Sequence, residues 1–548
     1  MSTCTRRDFV AAAVAGSAAV SGAHVGVTAG RRRARLADSR IDVLLDEPIG
    51  TIAPEIYGHF VEHLGGVVYD GIWVGETSRI PNVGGIRKAL IDALAPIRPS
   101  VIRWPGGCFA DSYDWRDGIG PRHERPRRTN FWINDTALRD LGNVPAKFEP
   151  NHFGTNEFIR FCRLVGAAPY LAVNVRSLPA RAFFEWLEYC NSPPGSTTLA
   201  ELREAAGERD PFGVKFWGIG NESWGCGGNF TPEGYADEYR RFATWAVPEY
   251  GVALKFIGAG PSGRDLEWTR RFFRQLNERR DLGRMWAWAL HHYSSAPNGE
   301  AIAFDDTAWY DLLASANRME SLITAQWQVM GELDREHRIK LVVDEWGAWH
   351  RMTTNVDPAH LFGQQSTIRD ALVAALTLDT FNRHADKVAM ANIAQLVNCI
   401  QSLFLAREDQ FVVTPTYHVF AMFAAHQGGR AVRVVSSAPA VGWRDQQDRE
   451  QSLWGLNGSA STRDDTLVLT VTNPHSSEAR DTEIAVRGAT VAAVTATTLA
   501  ARNVQDHNTF DRPRVVAPTT RLVPGARSPF VYRFPAASVT KLEVTLGV

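Results

Sequence analysis

Between residues 55 and 400 the chain repeats one theme: a short apolar run ends in Gly, Asn, His or an acid, and a longer segment with helical spacing follows. Eight such runs, IYGHF, SVIRW, YLAVNV, VKFWGIG, LKFIGAG, MWAWAL, KLVVD and VAMANIA, are apolar almost throughout rather than alternating. Runs of that kind suit strands covered on both faces. Their alternation with helices predicts parallel pairing in a closed (β/α)8 TIM barrel. In EFIRFCRLV, Phe158, Phe161, Cys162 and Val165 fall at i, i+3, i+4 and i+7 and make one apolar stripe. Thr231 and Pro232, ahead of EGYADEYRRFATWA, supply an N-cap and an N1 proline.

From about residue 426 the period changes. DTLVLTVTNPHSS, TEIAVRG, TVAAVTATT, PFVYRFP and VTKLEVTLGV are short, rich in Val and Thr, and separated by Gly, Pro, Asn and Ser. This predicts antiparallel strands packed as a sandwich. The expected architecture is therefore α/β plus all-β: a barrel over 53–425, then a C-terminal antiparallel β-sandwich over 426–548. The segment IDVLLDEPIGTI at 41–52 is expected to lend the sandwich a strand.

Length agrees with two domains, since 548 residues exceed the roughly 250–300 at which a single core stops growing. A net charge of −1 predicts no general attraction to nucleic acid or to an anionic membrane. At the N-terminus, TRRDFV precedes the uncharged run VAAAVAGSAAVSGA, too short to span a bilayer. Paired Arg6 and Arg7 before it predict a twin-arginine signal peptide over 1–30 and export to the periplasm or beyond. Of the cysteines at 4, 108, 162, 190, 226 and 399, Cys4 would leave with that signal. The odd remainder, without a CxxC pair, argues against a zinc ribbon or a full disulfide framework and for mostly buried thiols.

In a barrel of this kind the chemistry lies at the C-terminal ends of the strands. Glu222 follows the fourth apolar run and Glu345 the seventh, so the two acids face each other across the mouth. Two carboxyl groups so placed suit glycosidic cleavage: one protonates the leaving oxygen while the other attacks the anomeric carbon or activates water. The other strand ends add Glu62 and His63, Arg103 with the turn PGGCFAD, HHYS at 291–294, and AQLVN at 394–398. These groups could hold several sugar hydroxyls. Histidines 59, 63, 291 and 292 raise the alternative of a metal site, but the HExxH order is absent. No GxGxxG, haem CxxCH or iron–sulfur spacing occurs, so neither metal nor cofactor is expected.

The blocks IYGHFVEHLGG, VIRWPGGCFADSYDWRDGIGPR, NHFGTNEFIRFC, WGIGNESWGCGG, VVDEWGAWH and ANIAQLVN, in this order, resemble the α-L-arabinofuranosidases of glycoside hydrolase family 51. The resemblance runs from about residue 41 to AASVTKLEV near the C-terminus. It implies an exo-acting, retaining double displacement with Glu222 as acid/base and Glu345 as nucleophile, the carboxyl groups about 5–5.5 Å apart. It also implies that Glu62, Arg103, Asn221, Tyr293 and Gln395 touch the arabinosyl ring or the nucleophile; Cys108 and Trp346, beside these positions, and His291, at the end of the sixth run, are further expected substrate contacts. Cys108 stands where some relatives carry an asparagine. The segment 122–153 departs from the regular stretch expected there and is expected to reshape the cleft. The implied substrates are arabinan, arabinoxylan or their oligosaccharides, and the implied assembly is a homo-oligomer, often a hexamer. The alternatives are an endo-β-1,4-glucanase or xylanase on the same barrel, or a non-catalytic sugar-binding protein.

Overall fold

The structure is a computed structural model that describes residues 37–130, 148–244, 250–297, 299–351 and 356–547. The proposed signal segment 1–30 lies outside the described residues. Eight parallel strands close into a barrel: Gly58–Phe60, Val101–Trp104, Ala168–Val173, Phe216–Ile219, Lys255–Gly258, Ala287–Ser294, Lys340–Ala348 and Val388–Ala394, the last pairing with the first. They are referred to below as barrel strands one to eight. Val101, Tyr170, Phe216, Ile257, Ala287, Ala289, Val342 and Met390 form a cluster of their own, the side chains that fill the barrel. A much larger cluster lies between the strands and the surrounding helices. Burial on both sides is why these strands read as unbroken apolar runs.

The helices follow local rules. In Thr155–Val165, Phe158, Phe161 and Cys162 are buried, and the helix stops at Gly166, whose φ of 74° is left-handed. The helix Pro232–Ala243 starts at Thr231, whose hydroxyl accepts from the Gly234 N–H at 3.1 Å. The helix Ile368–Arg383 is different, because every residue from Ile368 to Asn382 is buried. One side packs on the barrel and the other meets the C-terminal sheet, where Tyr57 OH donates to Asn382 Oδ1 and Asn382 Nδ2 donates to Ser459 Oγ.

That sheet has nine strands in the order Thr519–Leu522, Thr490–Ala500, Ser538–Gly547, Thr466–Asn473, Asn457–Arg463, Arg430–Ser437, Ser39–Thr51, Arg480–Arg487 and Phe530–Phe534. It is one hydrogen-bonded sheet that curls back on itself. Tyr532, on one edge strand, lies 3.1 Å from Thr498 Oγ1 and under the Arg521 guanidinium, both from the opposite end. Residues from both halves share one apolar core that includes Ile41, Leu469, Val494, Phe534 and Leu542. The pairing is antiparallel except where Ser39–Thr51 runs parallel to Arg480–Arg487.

Candidate active site

The ends of barrel strands one, two, four, six, seven and eight deliver charged and polar side chains to one point. Arg103, 1% exposed, anchors them. Its Nη1 donates to Glu345 Oε1 at 2.7 Å and its Nη2 to Asn221 Oδ1 at 2.7 Å, while Nε lies 3.6 Å from Asp344 Oδ2. Tyr293 OH donates to the other oxygen of Glu345 at 2.8 Å. Both oxygens of Glu345 are thus held by donors. One oxygen of Glu222 and one of Glu345 lie within 4.8 Å of each other, with His291 between them.

His291 Nδ1 is 3.1 Å from Glu222 Oε1 and 3.5 Å from Glu345 Oε2, and its Nε2 is 3.1 Å from Asp344 Oδ1. Burial opposes a charge on this ring. The surrounding Glu345 and Asp344, with hydrogen bonds to Asp344 and Glu222, outweigh it and hold the imidazole well above its usual range. Asp344 moves the opposite way: burial would raise it, but Arg103 and His291 bring its carboxyl below the ordinary value. Glu62 Oε1 accepts from the Gly107 and Phe109 N–H groups at 3.1 Å each, and Gln395 Nε2 donates to its Oε2 at 3.3 Å. Burial first, then the nearby Glu345, push Glu62 up to about 8.

Two local features make this convergence possible. Strict alternation along barrel strand seven would send Asp344 and Glu345 to opposite faces. The register slips between Val343 and Trp346 against strand eight, and between Ala289 and His291 on strand six, and both acids then face Arg103 and His291. Glu222 itself has φ of 36°, a left-handed conformation uncommon for a residue with a side chain. Its carbonyl accepts from the Gly225 and Gly227 N–H groups at 2.7 and 3.1 Å, which holds the turn.

Glu62, Gly107, Cys108, Glu222, Tyr293, Glu345, Trp349, Phe362 and others line a cavity of about 70 Å3 above the acids. Tyr293 and Trp349 also line an adjoining groove of about 440 Å3 with Ser295, Ala296, Gly299, His350 and Arg351. The residues expected here, Glu62, Arg103, Asn221, Glu222, His291, Tyr293, Glu345 and Gln395, are brought together. Trp346 is not: it is 1% exposed and packs against Phe381 and Phe420 on the outer side of the barrel. Trp349, three residues on, supplies the aromatic wall instead and meets Tyr293 edge to face at 4.8 Å. Asp344 and Trp349 were missed by sequence reasoning, although the adjacent acids of VVDEWGAW carried a signal for the first.

Cys108 also departs from expectation, because its sulfur is bonded to Cys226. It lines the cavity as half of a disulfide and has no S–H to offer a sugar. Cys162, Cys190 and Cys399 are buried free thiols. Bonding of Cys108 to Cys226 likewise leaves no thiolate for the grouping Cys108, Glu222 and Cys226 to offer a metal. The other histidines do not converge: His63 Nδ1 pairs with Glu149, His292 Nε2 with the Ser315 carbonyl, and burial takes His59 down to about 3. Of the segment 122–153, residues 131–147 lie outside the described residues. Its described N-terminal part is tied to the barrel by Arg125 on Glu157 and Arg128 on Asp117.

Comparison with known proteins gives a consistent result. The family described as α-L-arabinofuranosidase 1 domain matches residues 93–308, and the α-L-arabinofuranosidase C-terminal domain matches 344–538. An intracellular exo-α-L-arabinofuranosidase of Bacteroides ovatus is 35% identical over 92% of this chain and 95% of its own. An intracellular exo-α-(1→5)-L-arabinofuranosidase of Acetivibrio thermocellus is 30% identical over 73% of this chain and 78% of its own. The crystal structure of the family 51 arabinofuranosidase from Xanthomonas axonopodis pv. citri superposes with a TM-score of 0.85 at 34% identity, over 93% of this chain and all of that one. These relatives correct the expected export. Both curated proteins are named intracellular, which points to the cytoplasm rather than to an exported protein. A paired arginine before an alanine-rich run is a compositional pattern of low specificity, and it was outweighed. By its sequence, its domains and its fold, the chain belongs to the α-L-arabinofuranosidases of glycoside hydrolase family 51.

Proposed function

We propose that the protein releases terminal α-L-arabinofuranosyl residues from arabinan, arabinoxylan or their oligosaccharides with retention, through a covalent intermediate on Glu345. The observation that carries this reading is the pair of carboxylates on opposite strand ends with oxygens within 4.8 Å. Retaining glycosidases place the two groups about 5–5.5 Å apart, whereas inverting ones leave about 6.5–9.5 Å for a water. In the first step Glu345 attacks the anomeric carbon, the bond to the aglycone oxygen breaks, and Glu222 gives that oxygen its proton. In the second step Glu222 takes a proton from water, the water oxygen attacks the same carbon, and the ester to Glu345 breaks.

The surrounding groups have parts in both steps. Arg103 and Tyr293 hold the two Glu345 oxygens and stabilise the charge that returns to them. Arg103 occupies Asn221 Oδ1, and Nδ2, which has one N–H toward the Cys226 sulfur at 3.8 Å, keeps its second for the hydroxyl beside the anomeric carbon. His291, charged and anchored on Asp344, orients Glu222 through Oε1. The narrow cavity takes the terminal sugar and the adjoining groove the rest of the chain, which favours exo action over the endo-glucanase alternative. Hemicellulose breakdown and assembly into a homo-oligomer belong to the same reading.

The test is nitrophenol release from 4-nitrophenyl α-L-arabinofuranoside by wild type, Glu345→Ala and Glu222→Ala. Loss of turnover to background in Glu345→Ala is expected. An undiminished rate there would remove Glu345 from the role of nucleophile, and an inactive wild type would overturn the sugar specificity.

A further inference from the structure

Cys108 lies in the turn after barrel strand two and Cys226 in the turn after strand four that carries Glu222. Their sulfurs are bonded across 118 residues of sequence, with Cα atoms 5.6 Å apart. The bond therefore staples two rim loops together at the acid itself. The Cys108 and Cys226 sulfurs stand 3.9 and 3.6 Å from Glu222 Oε2, while His291 holds Oε1 from the other side. Glu222 is thus wedged between an imidazolium and a disulfide. Disulfide sulfurs have no proton to give, so the face they present to Oε2 is polarisable but donates nothing. The staple also spans the turn in which Glu222 keeps its left-handed φ, closed by the Gly225 and Gly227 N–H groups on either side of Cys226. Without it, this disfavoured conformation would rest on two backbone hydrogen bonds.

We propose that the Cys108–Cys226 disulfide is a positioning element for the Glu222 carboxyl, and that its reduction lowers turnover reversibly. This rests on the reading of Glu222 as acid/base. Both cysteines are half-buried, and Cys108 lines the cavity, so a small dithiol can reach the bond. One thiolate of the dithiol attacks a sulfur, the other cysteine leaves as a thiolate, and the second thiol of the reductant closes its own ring. Cys108 and Cys226 end as thiols, and the dithiol, having lost two electrons and two protons, ends as a cyclic disulfide. Two consequences follow at Oε2. The loops are released from each other, and two S–H groups able to donate now compete for the oxygen. The three other described cysteines are already thiols, so a reductant changes this pair alone among the described cysteines. Disulfides are rare where thiols are kept reduced, and in such a compartment the state of this bond follows the ambient dithiol couple.

The experiment compares oxidised enzyme, enzyme treated with dithiothreitol in the presence of EDTA, and Cys108→Ser/Cys226→Ser, on 4-nitrophenyl, phenyl and methyl α-L-arabinofuranosides. A poor leaving group needs its proton in the transition state and a good one scarcely does, so kcat/KM across the series reads the placement of the acid. The expected loss grows along the series and is at least about 10-fold larger for methyl than for 4-nitrophenyl, within the range that general acid catalysis contributes. Competitive inhibition by arabinose should stay within about twofold, and reoxidation should restore the rates. Should the double variant not fold, the dithiol series on folded enzyme reads the same quantity. A uniform loss across leaving groups, no loss on reduction, or two free thiols at these positions by peptide mass in the untreated protein would each overturn the proposal. Glu222→Ala separates this from the underlying reading. If that variant shows no leaving-group dependence, the acid/base assignment itself fails; if it does and the reduced enzyme does not, only the positioning role fails.

Discussion

Glu62 stands closest to the charge balance of the site, since it lies beside Glu345 without sharing its ion pair with Arg103. Its carboxyl, pushed up to about 8 by burial and by Glu345, is neutral at physiological pH even though the Phe109 and Gly107 N–H groups and Arg103 pull the other way. A proton on Oε2 has an acceptor within reach. Gln395 Oε1 is buried and without a partner among the described residues, and turning that amide over presents it to Glu62. As pH rises through about 8 the proton is lost, and a second negative charge appears next to the nucleophile. We therefore expect kcat/KM to fall on that limb in wild type. In Glu62→Gln, whose amide stays neutral, the limb should disappear or move upward; an unmoved limb in a pH–rate profile would assign it to another group. Gly107 makes a second residue-level demand. A Cβ there would lie 2.7 Å from Glu345 Oε1, so Gly107→Ala must displace either the loop or the nucleophile. Displacements of about 1 Å cost on the order of 100-fold in rate. We expect a loss of that size in kcat with little change in Tm, and a kcat near wild type would show that the loop yields freely.

Barrel strand seven shows how one element separates structure from function. The slip after Val343 turns Asp344 and Glu345 toward the site, and the next residue, Trp346, is sent outward against Phe381 and Phe420. Trp346→Ala should then cost stability, about 3–5 kcal/mol for a buried aromatic, read as a lower urea midpoint. Trp349→Ala should leave the midpoint almost unchanged and raise KM, because this ring lines the cavity. Equal effects of the two substitutions on KM would mean that the outward packing of Trp346 is wrong. Sequence proximity to Glu345 had suggested Trp346 as a sugar contact; the slip that decides otherwise is a property of strand pairing and leaves no mark in a single strand. The eight barrel strands were legible because burial on both faces demands unbroken apolar runs. The same logic fails for Asn457–Arg463, the polar run NGSASTR, which pairs on both edges and turns Ser459 toward a buried acid rather than toward apolar side chains. It fails again for the Cys108–Cys226 bond, since pairing of cysteines this far apart is set by which loops the barrel brings together. The acids at the strand ends were readable for the opposite reason: a carboxyl directly after an apolar run has few explanations other than a rim position.

At the scale of the whole molecule, barrel and sheet are joined through a polar seam along the helix Ile368–Arg383. At its centre Asp379 is fully buried, and its Oδ1 accepts from the Ser459 and Thr470 hydroxyls at 2.6 Å each. Oδ2 makes no hydrogen bond of ordinary geometry among the described residues, although the Thr472 hydroxyl lies against this carboxyl, and the guanidinium of Arg383 is directed to Glu320 and Asn457. Burial is the largest influence and raises this carboxyl to about 7, despite the hydroxyls of Ser459, Thr470 and Thr472 and the charge of Arg383, which pull it down. The folded protein thus holds a proton that the unfolded chain releases near 3.8. A group raised on folding contributes its stability in full below the unfolded value and loses it as pH climbs to the folded one. The contribution of this group should therefore fall between about pH 4 and about pH 7, by up to about 1.4 kcal/mol for each pH unit crossed. His426, which contacts Ser459's neighbour Thr470 through Nε2, is lowered by burial to about 3 and so adds a slope of opposite sign up to about pH 6.5, but it is present in wild type and in Asp379→Asn alike and cancels in their difference. Asp379→Asn keeps the shape of the seam and removes the proton, so that the variant should gain on wild type steadily from about pH 4 to about pH 7 in urea midpoints and level off above. The other carboxylates of the protein contribute equally to both curves, which leaves the difference as the signature of Asp379. Parallel curves would mean that the seam accommodates a charged aspartate, and that the two domains meet through an ionised contact instead of a protonated one.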